Sequence, residues 1–172
     1  MTPKSLLRHK SAISSKAEFI EGSSFHRVLW DDAQKGTSKI KLVSDSKIKQ
    51  VVLCSGKVYY DLLEKRDKLN LKNTYILRIE QIYPVPIQAL TKELSRFKNA
   101  ALIWCQEEPK NQGAWSFMEP NIEQILNNLS IKAKRAKYVG RPASASPATG
   151  LASQHKEQQD KLIFEALNLE GK

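Results

Sequence analysis

Three short apolar runs, evenly separated by helix-length stretches, constrain the fold of this chain most. Gln50–Cys54 is a continuous apolar run bounded by Ser55 and Gly56. Asn73–Glu80 alternates Tyr75, Leu77 and Ile79 against Thr74, Arg78 and Glu80. Ala100–Cys105 is a third apolar run. Strands this apolar are buried on both faces, as in a parallel sheet covered by helices. The intervening segments carry helical stripes: Val58, Leu62 and Leu69, widened by Tyr59 and Leu63, then Ile87, Leu90, Leu94 and Phe97. Strand–helix–strand alternation with short connections predicts the α/β class. The sheet should be mostly parallel, with four or five strands and helices on both faces.

The flanking elements follow from the same rules. Ser55 is placed to N-cap the first helix. Pro86 is placed at a first helical position, where its missing N–H costs nothing. Gln106–Gly113 reads as a polar loop. Trp115, Met118, Ile122, Ile125, Leu126 and Leu129 give a helical stripe, with Pro120 starting or kinking the main helix. Ile131–Val139 reads as a fourth strand, Arg141–Leu151 as a loop of small residues, and Ser153–Leu169 as the last helix. Before residue 50 the pattern is less regular. Phe25–Trp30 has the makings of a strand, and Asp31–Lys39 reads as an exposed turn. The expected organisation is therefore an irregular linker and N-terminal extension over 1–49, packed on an α/β domain over 50–172.

Composition narrows the function classes. A chain of 172 residues supports one domain with a sizeable core. No apolar run reaches the ~20 residues that cross a membrane, and no apolar core of a secretion signal stands near the N-terminus. Cys54 and Cys105 each sit in an apolar run, which suggests buried, reduced thiols. The net charge is +10. Much of it concentrates in Lys132, Lys134, Arg135, Lys137 and Arg141, a run without an acid. Such a patch suits a nucleotide, an acidic protein face or nucleic acid, and equally a solvated strand edge. Nucleic acid is the weaker reading, because Tyr138 stands alone where stacking would need several aromatics.

Two loops fall where parallel sheets place their ligands and partners. Gln106, Glu107, Glu108, Lys110, Asn111 and Gln112 lie beyond the carboxyl end of a strand. Adjacent carboxylates on an extended segment point apart, so Glu107 and Glu108 suit an interface better than an acid–base dyad. The loop Arg141-Pro-Ala-Ser-Ala-Ser-Pro-Ala-Thr-Gly150 lacks a phosphate-loop pattern. Its small residues, with Arg141, Ser144 and Ser146, suit packing beneath a neighbour. Ser55-Gly56-Lys57 opens a helix and could hold an anion. Trp115 and Phe117 are expected to border an exposed apolar patch beside loop 141–150.

Five blocks carry a family resemblance: Thr2–His9, Leu53–Tyr60, Arg78–Pro84, Trp104–Trp115 and Gly140–Gly150. In this order they resemble the C-terminal region of the E1 components of 2-oxoglutarate dehydrogenase. Those are thiamine-diphosphate-dependent enzymes of transketolase-like organisation. The resemblance implies a transketolase C-terminal-like domain with a structural and dimerising role. Its partners would be the other domains of the same E1 chain, a second E1 subunit and a lipoylated E2. It also implies a parent activity: decarboxylation of 2-oxoglutarate and succinyl transfer to E2. Thiamine diphosphate and magnesium would serve the full-length enzyme. The family's Gly-Asp-Gly…Asn cofactor motif is not in these residues, so this chain is expected to bind neither and to have no catalytic residue of its own. Some members bind adenine nucleotides or acyl-CoA where domains meet, which points here to Arg8 and Gln106. The expected location is cytoplasmic in a bacterium or the mitochondrial matrix in a eukaryote. Two alternatives are a basic nucleic-acid-binding module and the equivalent domain of transketolase or pyruvate dehydrogenase E1. The run Gln106–Gly113 argues against the latter.

Overall fold

A computed structural model describes residues 4–36 and 38–168. In chain order the regular elements are β1 (Val28–Leu29), β2 (Gln50–Cys54), α1 (Val58–Lys68), β3 (Thr74–Ile79), α2 (Ile87–Leu94), β4 (Ala101–Pro109), α3 (Trp115–Asn127), β5 (Ala136–Arg141) and α4 (Ala152–Ala166). The strands form one sheet in the order β1-β3-β2-β4-β5. β2 pairs in parallel with both β3 and β4, and β4 with β5. Only β1 runs antiparallel, with Val28 opposite Ile79.

Alternation along the strands divides the core into two layers. Val51, Leu53, Tyr75, Leu77, Leu102 and Trp104 face Leu90 and Leu94 of α2 and Met118 and Ile122 of α3. Val52, Cys54, Ile76, Ile103, Cys105 and Val139 face Val58 and Leu62 of α1 and Leu162 and Ile163 of α4. Helices therefore cover both faces, as continuous apolar strands require. Cys54 and Cys105 are register partners on adjacent strands, free and buried. Burial pushes both thiols well above the ordinary cysteine range.

Several local expectations are corrected. β4 does not stop at Cys105 but runs through Gln106, Glu107 and Glu108 to Pro109, because β5 continues to pair with it as far as Pro109 opposite Arg141. β5 correspondingly lies later than Ile131–Val139. Ser55 does not cap α1: Lys57 holds the N-cap position without a side-chain hydrogen bond. Pro86 is the N-cap of α2 rather than its first residue. α3 starts at Trp115 and passes through Pro120. The strand foreseen in Phe25–Trp30 shortens to Val28–Leu29. α4 ends at Ala166, and Leu169 lies outside the described residues.

The largest correction is Asp31. It was expected in an exposed turn, yet it is fully buried. Its carboxylate holds the guanidinium of Arg66, also fully buried, and accepts from the Ile76 N–H at 2.7 Å and the Ala33 N–H at 2.8 Å. Arg66 additionally meets Asp67 at 3.0 Å. Two buried charges are tolerated because each is hydrogen-bonded as well as paired. Burial pushes the Asp31 carboxyl up; Arg66 and the backbone N–H groups oppose the rise without cancelling it. The ion pair ties the segment before β2 to α1 and β3.

Candidate functional site

The sheet reverses its winding at β2: the chain next adds β3 on one side and then β4 on the other. The carboxyl ends of β2 and β4 flank that switch point, where open α/β sheets leave a crevice. Gln106 lies in the carboxyl-terminal part of β4, buried. Its Oε1 accepts from Trp104 Nε1 at 2.9 Å and from the Trp115 N–H at 3.0 Å. Its Nε2 donates to the Gln112 carbonyl at 2.8 Å and lies near those of Glu108 and Pro109 at 3.2 and 3.3 Å. One buried amide thus fixes both ends of the turn between β4 and α3. Trp104 and Trp115 both bond to that amide.

Two glycines are needed for this closeness. A Cβ at Gly140 would stand 2.5 Å from Tyr138 Oη and 2.7 Å from the Gln106 carbonyl. Gly113 has φ +66, and a Cβ there would stand 3.0 Å from Gln106 Nε2. Tyr138 Oη lies 2.8 Å from the Arg141 carbonyl, and burial is the main reason its hydroxyl is pushed up to about 12.

Arg141 closes the other side. It is buried, and its guanidinium donates to the Glu107 carbonyl, to Gln158 Oε1 at 3.0 Å and to Gln159 Oε1 at 3.0 Å. His155 Nδ1 lies 3.4 Å away. Gln159 donates to Asp61 at 2.8 Å, Asp61 meets Lys57 at 3.2 Å, and Lys57 meets the Glu107 carboxylate at 2.9 Å. The contacts form a ring: Glu107, Arg141, Gln159, Asp61, Lys57 and back to Glu107. Burial alone would lower the Lys57 ammonium, but Glu107 and Asp61 outweigh it and its pKa is raised. The ammonium at the opening of α1 is therefore paired with carboxylates of the chain itself.

The sequence-predicted residues divide clearly. Gln106, Glu107, Gln112 and Arg141 come together in the lock. Asn111 joins it at the surface: its side chain donates to the Ser144 carbonyl at 3.0 Å and accepts from the Ser144 N–H at 3.0 Å. Ser144 Oγ lies 3.3 Å from Ser146 Oγ. Glu108, Lys110, Asn111 and Ser146 are exposed and Ser144 half-buried. Trp115, placed by the sequence at an exposed patch, is instead 4% exposed and packs on Tyr138 at 5.4 Å between ring centroids. Phe117 stays partly exposed, near Tyr83. Arg8 is exposed beside a cavity of about 550 Å³ lined by Lys4, Ser5, Leu7, Arg8, His9 and Lys10, to which Gln106 does not contribute. Sequence reasoning missed Asp61, Gln158 and Gln159, whose only signal was polarity on the helices flanking the switch point.

The arrangement positions backbone and pairs charges. Among the described residues no group of three or more His, Cys, Asp or Glu side chains is placed to hold a metal ion. No helix of the described residues is long and apolar enough to cross a membrane.

Comparison with known proteins places this architecture. The family model for the 2-oxoglutarate dehydrogenase C-terminal region matches residues 13–167. The 2-oxoglutarate dehydrogenase E1 components of Brucella ovis, Brucella canis and Brucella suis are each 58% identical to the chain over 168 residues. That alignment covers 97% of this chain and 17% of each relative, so the chain spans about a sixth of their length. With its parallel sheet, its locked switch point and this match, the chain belongs to the 2-oxoglutarate dehydrogenase C-terminal family.

Proposed function

We propose that the chain works as the C-terminal structural and dimerising domain of a 2-oxoglutarate dehydrogenase E1 component. The parent enzyme would decarboxylate 2-oxoglutarate and pass the succinyl group to a lipoylated E2. The observation that carries this reading is the 58% identity across 97% of the chain. The geometry fits a positioning role, because the ring at the switch point ties β2, β4, β5, α1 and α4 into one body. Its exposed rim, with Glu108, Lys110, Asn111 and Ser146, would meet a neighbouring domain or the second subunit. Leu7, Ile13, Phe19, Ile20 and Phe25 leave much of their surface open, and apolar surface of that kind marks contact with other protein. Those contacts would be made by the rest of the E1 chain. A nucleotide or acyl-CoA effector would meet exposed Arg8 rather than Gln106, whose amide is taken up by the turn between β4 and α3. The location consistent with the bacterial relatives is the cytoplasm.

Thiamine diphosphate with magnesium would belong to the remainder of the enzyme. Here Lys57, at the opening of α1, is already held by Glu107 and Asp61 instead of facing a diphosphate. The direct test is a chimera in which this chain replaces the matching stretch of the Brucella ovis enzyme. The chimera should sediment as a dimer and decarboxylate 2-oxoglutarate. A folded chimera without activity would contradict the proposal.

A further inference from the structure

We propose that the amino edge of the parallel sheet is a docking surface for an acidic protein segment. The inference does not depend on the E1 reading. Every loop entering a parallel strand carries lysine: Lys47 and Lys49 before β2, Lys72 before β3, Lys98 before β4, and Lys132 and Lys134 before β5. All six are exposed. The loops lie side by side, joined by backbone hydrogen bonds. The Lys132 N–H donates to the Lys98 carbonyl at 2.8 Å, and the Ala101 N–H to the Lys49 carbonyl at 2.9 Å. The Lys49 N–H donates to the Asn73 carbonyl at 2.9 Å, and the Val43 N–H to the Lys72 carbonyl at 2.9 Å. The lysines therefore follow the strand order without a break, over three strand spacings or roughly 14 Å.

The acids near this edge are engaged elsewhere. Asp45 and Glu93 hold Arg96, Asp31 and Asp67 hold Arg66, and Glu123 holds Arg135. None of the six lysines enters an ion pair among the described residues. Cations also suit the carbonyl ends of helices. That accounts for Lys134, whose Nζ donates to the Leu129 carbonyl just beyond α3 at 3.0 Å. Among the described residues the other five side chains bond no carbonyl. What remains is a row of uncompensated point charges.

Its chemistry favours carboxylates over phosphates. Of the nearby arginines, which would grip phosphate with a two-pronged fork, Arg66 is buried against Asp31, and Arg96 and Arg135 already hold the carboxylates of Asp45 and Glu123 at the surface. Tyr138, the aromatic in the basic run, is turned into the loop against Trp115 and the Arg141 carbonyl and offers no stacking surface. β5, at the end of the row, is also an edge strand whose outer backbone is open to an extended segment.

The test is binding of a fluorescently labelled oligoglutamate peptide at low salt, read by anisotropy. The combined change Lys49→Glu, Lys98→Glu, Lys132→Glu should weaken binding by about tenfold or more. The combined change Lys10→Glu, Lys16→Glu, Lys156→Glu alters net charge equally away from this edge and should weaken it far less. Equal losses would reduce the effect to net charge and overturn the proposal. So would tighter binding of a labelled single-stranded oligonucleotide that the edge triple abolishes, which would assign the surface to nucleic acid. If the edge lysines serve only the helix ends, the triple will lower the melting temperature and leave peptide affinity unchanged. Should the triple fail to fold, Lys98→Gln with Lys132→Gln must still weaken the peptide relative to Lys10→Gln with Lys16→Gln.

Discussion

Gln106 shows how much one side chain can organise. Its amide is buried and every polar atom is used. Gln106→Leu keeps the approximate size but strands the Trp104 indole N–H, the Trp115 N–H and the Gln112 carbonyl. Buried groups left unpaired cost more than the bonds themselves were worth. We expect a loss of about 3 kcal/mol in unfolding free energy, measured by urea denaturation. Gly140 is a sharper case, since a methyl there meets Tyr138 Oη and the Gln106 carbonyl well inside contact distance. Gly140→Ala should destabilise by about 2 kcal/mol or more. Gly150, with open space around its α-carbon, should accept alanine within about 0.5 kcal/mol. Similar losses at both positions in thermal melts would refute the packing argument.

At the scale of elements, β2, β3 and the start of β4 were legible because apolar runs leave them few alternatives, whereas β5, charged along one side, was placed several residues too early. The carboxyl end of β4 was not. Gln106 and Glu107 read as loop by polarity, yet they lie in the strand because β5 pairs on as far as Pro109 and because the Trp115 N–H and Lys57 satisfy their side chains there. The candidate loops were identifiable from composition, but their mutual lock was not, since it depends on Gln158 and Gln159 of α4, far away in sequence. The start of α1 was misread because Ser55 is a good cap in isolation, whereas Gly56, at φ +74, turns the chain so that the helix begins two residues on. Asp31 was hidden by its neighbours Asp32 and Gly36, which signal a turn. One clue was present: Arg66 follows Val58 and Leu62 at four-residue spacing on the buried face of α1. Asp31→Ala should cost about 4 kcal/mol, because it leaves a buried guanidinium without its main counter-charge. The double variant Asp31→Ala, Arg66→Met should recover much of that loss. Additive losses in the double-mutant cycle would mean that the pair does not couple loop 31–36 to α1.

At the scale of the whole molecule, the two edges of one sheet do different work. The carboxyl edge is occupied by the chain's own side chains, with charges paired in a ring and glycines permitting close approach. The amino edge is a row of lysines that enter no ion pair among the described residues. A domain built this way is rigid where a ligand crevice would open and available at its opposite end and along its N-terminal segment. That division matches a domain that shapes a larger enzyme. The switch point is locked by contacts within the chain. Native-state hydrogen exchange of the isolated chain tests it most directly. The amides of Lys110 and Trp115, bonded to the Arg141 carbonyl and to Gln106 Oε1, should exchange about a thousandfold or more slowly than in an unstructured peptide. Exchange of both within about tenfold of the unstructured rate would show that the loops are open until a partner closes them.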